Sequence, residues 1–118
     1  MTRYARQIAL LEFGAEGQAR LRSAHVLVIG AGGLAAPVLH YLVGAGVGRI
    51  TLMDGDRVSL SNLHRQVLFR MDDIGAPKAT VAAAHMAALN PDCTICAITE
   101  PLDPANAPGH VANADLVL

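Results

Sequence analysis

A chain of 118 residues, 53% of them hydrophobic and only 16% charged, can close one well-buried core and is not a disordered segment. Its formal net charge of −1 gives no overall attraction to nucleic acid or to an anionic membrane, so any anion site must be local. Aromatic residues make up 3% of the chain, too few for the exposed rings on which single-stranded nucleic acid stacks.

The opening stretch MTRYARQIALLEFG carries Arg3, Arg6 and Glu12, which leaves no uninterrupted apolar region for a signal peptide; a cytoplasmic protein is expected. It reads as a short amphipathic portion with Ile8, Leu11 and Phe13 on one side, followed by a helical stretch from about Glu16 to Arg22. The run from Val26 to Gly48 holds no charged residue and is long enough to span a bilayer. Its β-branched block stops at Gly30-Ala31-Gly32-Gly33, however, and a small-residue helical pattern follows, so a strand (25–29), a tight turn and a helix (about 33–45) are expected instead. Pro37 falls in the first turn of that helix, where a missing N–H costs least, and the glycines of GAGVG (44–48) suit a left-handed cap. RITLMD (49–54) is the second strand, residues 77–89 form a helix that stops at Asn90-Pro91, and CTICAI (93–98) is the third strand. A loop, PLDPANAP, and a short helical segment lead to ADLVL (114–118), a fourth apolar strand.

Apolar strands alternating with helices imply an α/β, Rossmann-like parallel sheet with helices on both faces. Residues 1–24 then form an N-terminal helical segment and residues 25–118 a nucleotide-binding domain that reads as cut short after its fourth strand. Cys93 and Cys96 form a CxxC, but positions three apart on a strand face opposite sides, so reduced strand cysteines are expected and not half of a zinc site. The five histidines show no ligand spacing, and no metal ligand is assigned.

The turn after the first strand, Gly30-Ala31-Gly32-Gly33-Leu34-Ala35, fits G-x-G-x-x-G/A. Glycines there let the backbone turn tightly and approach phosphate closely, while helix N–H groups and the helix dipole face the anion. Asp54 closes the second strand at about the ~20-residue spacing of a ribose-binding carboxylate. These features suit a dinucleotide and ATP alike. The stretch DGDRVSLSNLHRQVLF (54–69) favours ATP: Asn62 and Arg65 lie three apart on one side of a helical turn, and a guanidinium grips phosphate oxygens bidentately. Lys78, the chain's only lysine, follows at a helix start in IGAPK.

At RYARQI (3–8), GAGGLA (30–35), GVGRITLMDGDRVSLSNLHRQVLF (46–69) and GAPK (75–78) the chain resembles the activating-enzyme family that includes ThiF, MoeB, HesA and the ubiquitin-activating enzymes, most of all the bacterial MoeB/ThiF type. The resemblance implies adenylation, with ATP and magnesium, of the C-terminal carboxylate of a small ubiquitin-like sulfur-carrier protein in a molybdopterin or thiamine type pathway. It places Gly33, with Gly30 and Gly32, against the phosphates, Asp54 on the ribose, and Asn62, Arg65 and Lys78 on the triphosphate. Arg6 would reach the site of a neighbouring subunit in a homodimer. The family's magnesium-binding aspartate segment, its zinc-binding CxxC pairs and its catalytic cysteine would all follow Leu118, so this stretch by itself is expected to be incomplete for catalysis. Asp56 is given a structural role, and His64 a surface one. The rivals are an NAD-binding dehydrogenase domain, which gives no reason for Asn62, Arg65 and Lys78, and a non-catalytic interaction module that retains the fold.

Overall fold

The computed structural model describes residues 3–118. Four strands, β1 (His25–Ile29), β2 (Arg49–Met53), β3 (Thr94–Ile98) and β4 (Leu116–Val117), form one parallel sheet in the order β3-β2-β1-β4. Five helices accompany it: α1 (Ala5–Ile8), α2 (Gly14–Ser23), α3 (Ala35–Ala45), α4 (Lys78–Leu89) and α5 (Ala107–Ala112). β1 and β2 pair in register over their full lengths, from His25 with Arg49 to Ile29 with Met53. β4 is shorter than the apolar run suggests: Leu116 and Val117 pair with Val26 and Leu27, and the flanking residues add single contacts, Asp115 N–H donating to the His25 carbonyl (2.8 Å) and Leu118 donating to the Leu27 carbonyl (2.9 Å) and accepting the Ile29 N–H (2.8 Å). Among the described residues no helix is long and apolar enough to cross a membrane.

The period of two along the strands divides the sheet into two unlike faces. Val26, Val28, Ile50 and Leu52 point one way and pack with Leu39 and Val43 of α3 and Ala82 and Met86 of α4 in a single buried cluster. The other face is more polar than near-continuous apolar strands led us to expect, and the helical cover is correspondingly uneven. Leu27 and Met53 are buried there, but Arg49, Thr94 and Cys96 are exposed. His25 spans this face. Its Nδ1 lies 2.6 Å from the carbonyl of Asn113, just past α5, which makes that nitrogen the donor and leaves Nε2, 2.7 Å from the Thr51 hydroxyl, to accept in the neutral ring.

Gly46, at φ 95°, supplies the left-handed cap of α3, with Val47 N–H donating to the Leu42 carbonyl and Gly46 N–H to that of Val43. The helix itself begins at Ala35, two residues later than its pattern suggests, because Gly32 to Leu34 are spent on the turn. The N-terminal segment docks through polar groups rather than the apolar side expected of it. Gln7 donates to Gln18 (2.6 Å) and to the Ala45 carbonyl (2.9 Å), and Gln18 donates to the same carbonyl (3.0 Å). Asn90, completely buried, donates to the Tyr4 hydroxyl (2.8 Å) and to the Val43 carbonyl (2.9 Å). Ile8 and Phe13 are half-buried, whereas Leu11 is wholly exposed in the turn between α1 and α2, contrary to its expected place on the packed side.

Both cysteines are free. Cys93 sits in the turn before β3, where burial pushes its thiol up to about 11, while Cys96 on the strand is exposed. A thiolate-seeking alkylating reagent at neutral pH should therefore label one site per native chain, Cys96, and a second only after denaturation. Peptide mapping that found Cys93 labelled first would contradict this.

Candidate functional site

The carboxyl ends of β1 and β2 are drawn together by one side chain. Asp54, directly after β2, accepts the Ala31 N–H on Oδ2 (2.8 Å) and the Asp56 N–H on Oδ1 (2.7 Å). Its own N–H donates to the Ile98 carbonyl (3.1 Å) and Gly30 N–H to the Met53 carbonyl (2.7 Å). Gly30 stands at φ 93°, a conformation that side chains strain to adopt, so the turn needs glycine there. Asp54 is thus first a brace between two loops. Each of its oxygens keeps a lone pair with which a ligand hydroxyl could bond.

The N–H groups of Gly32, Gly33, Leu34 and Ala35 donate to no backbone carbonyl or side chain among the described residues. They lie at the N-terminus of α3, where the helix dipole favours an anion. Over this turn lies the segment 59–66. Ser59 donates from both its N–H and its hydroxyl to Asn62 Oδ1, at 3.1 and 2.9 Å, which caps a 3-10 turn over Leu60–Asn62. Asn62 is left with its Nδ2 to offer. The next turn brings Arg65 against the glycines: a Cβ on Gly33 would stand 3.6 Å from the Arg65 carbonyl and 3.8 Å from its Cγ. The Arg65 guanidinium is exposed and meets only the Ser61 carbonyl (3.2 Å) and His64 (3.4 Å), with no carboxylate partner among the described residues. His64 is exposed, as expected of it.

Lys78 is fixed from the other side. Val58 N–H donates to the Ala76 carbonyl, Gly75 N–H to that of Val58, and Lys78 N–H to that of Asp56 (2.9 Å), so the start of α4 is laced to the loop that follows Asp54. The Lys78 side chain is buried, 6% exposed, yet forms neither an ion pair nor a hydrogen bond with any described residue. Its aliphatic stem is packed away while the ammonium keeps access to water, where an anion could meet it. The role of Asp56 is structural through its backbone, as both donor to Asp54 and acceptor from Lys78.

Beside the turn runs an open cleft of about 320 Å³ between Ile29, Gly30, Met53, Asp54, Pro101 and Leu102. Its outer wall, Pro101 and Leu102, comes from a loop to which the sequence reading gave no role. Gln66 was also passed over, although it stands inside the motif SNLHRQ. It is 5% exposed, its Nε2 lies 3.5 Å from where a Gly32 Cβ would be, and its buried Oε1 has no donor. A buried amide beside a glycine turn shows itself only when the two segments are seen together. Arg6 does not join this group. α1 sits at the amino edge of the sheet, held by Ala45, and a five-residue strand is about 16 Å long, farther than a side chain reaches.

A glycine turn at a helix N-terminus with an asparagine, an arginine and a lysine gathered around the same sheet edge also agrees with the family comparison, in which the model of the ThiF family matches residues 4–118. The chain belongs to the ThiF family. A sulfur carrier protein adenylyltransferase of Thermus thermophilus is 50% identical over all 118 residues, which cover 44% of that relative. The SAMP-activating enzyme E1 of Haloferax volcanii is 46% identical over the same residues, again 44% of its length. The chain thus spans less than half of these curated ThiF-family relatives. Among solved structures, E. coli TcdA in complex with ATP superimposes with a TM-score of 0.84 at 28% identity, over 94% of this chain and 45% of that one. E. coli MccB with AMPCPP and MccA gives 0.84 at 30% identity, over 98% and 36%.

Proposed function

We propose that the chain is the ATP-binding part of an adenylyltransferase that activates the C-terminal carboxylate of a small ubiquitin-like sulfur carrier in the cytoplasm, in a molybdopterin or thiamine type pathway. The observation that supports the reading is the approach of the Arg65 backbone and Cγ to Gly33, beside four backbone N–H groups without a protein acceptor, in a residue whose guanidinium meets no carboxylate among the described residues. One relative is named for adenylating a sulfur carrier, and two solved neighbours hold ATP or AMPCPP in a matching fold. The ribose would lie on Asp54 in the cleft, the α-phosphate over Gly32 to Ala35, and the outer phosphates between Asn62, Arg65 and Lys78.

In this reaction a carboxylate oxygen of the carrier bonds to the α-phosphorus as the bond to the bridging oxygen of the β-phosphate breaks, and pyrophosphate carries the electron pair away. Both reactants are anionic. Catalysis is therefore positioning plus charge neutralisation, which fixed N–H groups and cations supply without a protein nucleophile. Magnesium bound to the phosphates would neutralise further charge, and no residue of this chain is assigned to it. Because Arg6 lies out of reach of its own site, it is the residue we assign to the site of a partner in a homodimer.

Calorimetry of the full chain with ATP, AMP and NAD tests the reading. ATP is expected to bind more tightly than NAD, and Arg65→Ala to weaken ATP by about 1.5–3 kcal/mol while barely altering AMP. A preference for NAD, or an equal loss for ATP and AMP, would overturn the assignment of Arg65 to the outer phosphates.

A further inference from the structure

Gln66 follows Arg65 directly, yet the two side chains are treated in opposite ways. Arg65 is exposed, whereas Gln66 is buried against the glycine turn, its Nε2 3.5 Å and its amide carbon 3.9 Å from where a Cβ on Gly32 would be. Its backbone leaves it little freedom to withdraw. Gln66 N–H donates to the Asn62 carbonyl (2.8 Å), its carbonyl accepts the Phe69 N–H (3.2 Å), and Leu68 and Phe69 are themselves buried in the core.

The amide is held there at a cost to stability. Oε1 is sealed from water without a donor, and among the described residues it is the one buried side-chain oxygen or nitrogen in that condition. Buried polar groups are nearly always paired, and a methionine or leucine of similar size would fill the space without the penalty. Packing therefore gives no reason for glutamine at this position. The other atom of the amide supplies one. Nε2 is the side-chain atom nearest Gly32, at the turn whose N–H groups, from Gly32 to Ala35, have no protein acceptor, and it likewise donates to no described residue.

We infer that Gln66 contacts the nucleotide, its Nε2 donating to a non-bridging oxygen of the α-phosphate and completing, with the N–H groups of the turn, a cradle of neutral donors around the phosphorus that the carboxylate attacks. This rests on the nucleotide reading above and adds a division of labour to it. Arg65 and Lys78, with Asn62, serve the outer phosphates, which leave as pyrophosphate and carry most of the negative charge. The α-phosphate stays behind in the acyl-adenylate with a single negative charge. A fixed amide dipole steadies the charge on its oxygens and, being neutral, does not pair with the incoming carboxylate. Stability given up at a site for such a contact is a common exchange in enzymes.

Calorimetry of the full chain with ATP and with AMP, beside thermal melts, tests the contact. Gln66→Met, close to glutamine in shape and without its polar amide, is expected to weaken ATP and AMP alike by about 10- to 100-fold, as for one hydrogen bond to a charged group. Its melting temperature is expected to rise by about 4 °C as the unpaired oxygen is removed. Gln66→Leu repeats both measurements should methionine pack badly. A purely structural residue would move the melt the other way, so two variants that both melt below the wild type would overturn the inference, as would affinities that do not change. A loss confined to ATP would put the amide at the outer phosphates and overturn the α-phosphate contact. If the wild type binds both nucleotides and the variants match it, the contact alone fails; if the wild type binds neither, the nucleotide reading and the contact fail together.

Discussion

Asp54→Ala is expected to abolish measurable ATP binding and to lower the unfolding free energy by about 3 kcal/mol. Two charge-assisted hydrogen bonds disappear at once, those from the N–H groups of Ala31 and Asp56, and such bonds contribute roughly 1.5–3 kcal/mol each before water replaces part of the loss. The effect on binding is larger than that of losing a ribose contact, because the brace between the glycine turn and the loop leading to Lys78 goes with it. Asp54→Asn separates the two roles. The amide keeps one acceptor for a backbone N–H but sets its NH2 against the other, so stability should fall by about half as much. Urea unfolding together with calorimetry reads both quantities. If Asp54→Ala bound ATP only a few-fold more weakly and melted like the wild type, the carboxylate would not be the brace described.

Gly48→Ala is expected to destabilise the chain by at least about 3 kcal/mol, a large part of the roughly 5–15 kcal/mol that holds a domain of this size together. A Cβ on Gly48 would run into the backbone carbonyl of Arg22, and the glycine cannot move aside. Its N–H donates to the Leu21 carbonyl at 3.0 Å and its carbonyl accepts the Thr94 N–H at 2.9 Å, tying it to the end of α2 and to β3 together. Gly44, four residues earlier inside α3, is the control. A Cβ there meets nothing within 4 Å, so Gly44→Ala should be neutral or stabilising by up to about 1 kcal/mol. Thermal melts of the two variants that coincided would show the contact at Gly48 to be yielding.

The contrast between these glycines also marks what could be read without a structure. Strands β1 and β2, helix α4 and the left-handed cap at Gly46 follow from local rules: β-branched runs, the Asn90-Pro91 stop, and glycine where φ is positive. Gly48 and Gly44 look alike in GAGVG, because the crowding at Gly48 comes from Arg22, which only folding brings near. The same holds for the site. Asp54, Arg65 and Lys78 were legible because their charge stood out against an apolar chain. The bracing task of Asp54 was not, since it is performed toward backbone N–H groups, which every residue carries. Gln66 and the Pro101-Leu102 wall lacked a signal for the same reason, being near the glycine turn in space only. Composition misled at Leu11, which reads as part of a packed stripe but is left bare by the tertiary contacts.

Asn90 connects these regions in a way that bears on how the molecule opens. Its amide, without any access to water, joins the hydroxyl of Tyr4 to the last turn of α3, while its carbonyl oxygen accepts the Asp92 N–H before β3. The stretch preceding β1 is therefore not a detachable arm. Peeling it away removes the hydroxyl partner of a buried amide donor at the joint between α3 and α4, so the N-terminal turn and the end of α3 should fray as one cooperative unit, with shared protection of their backbone amides.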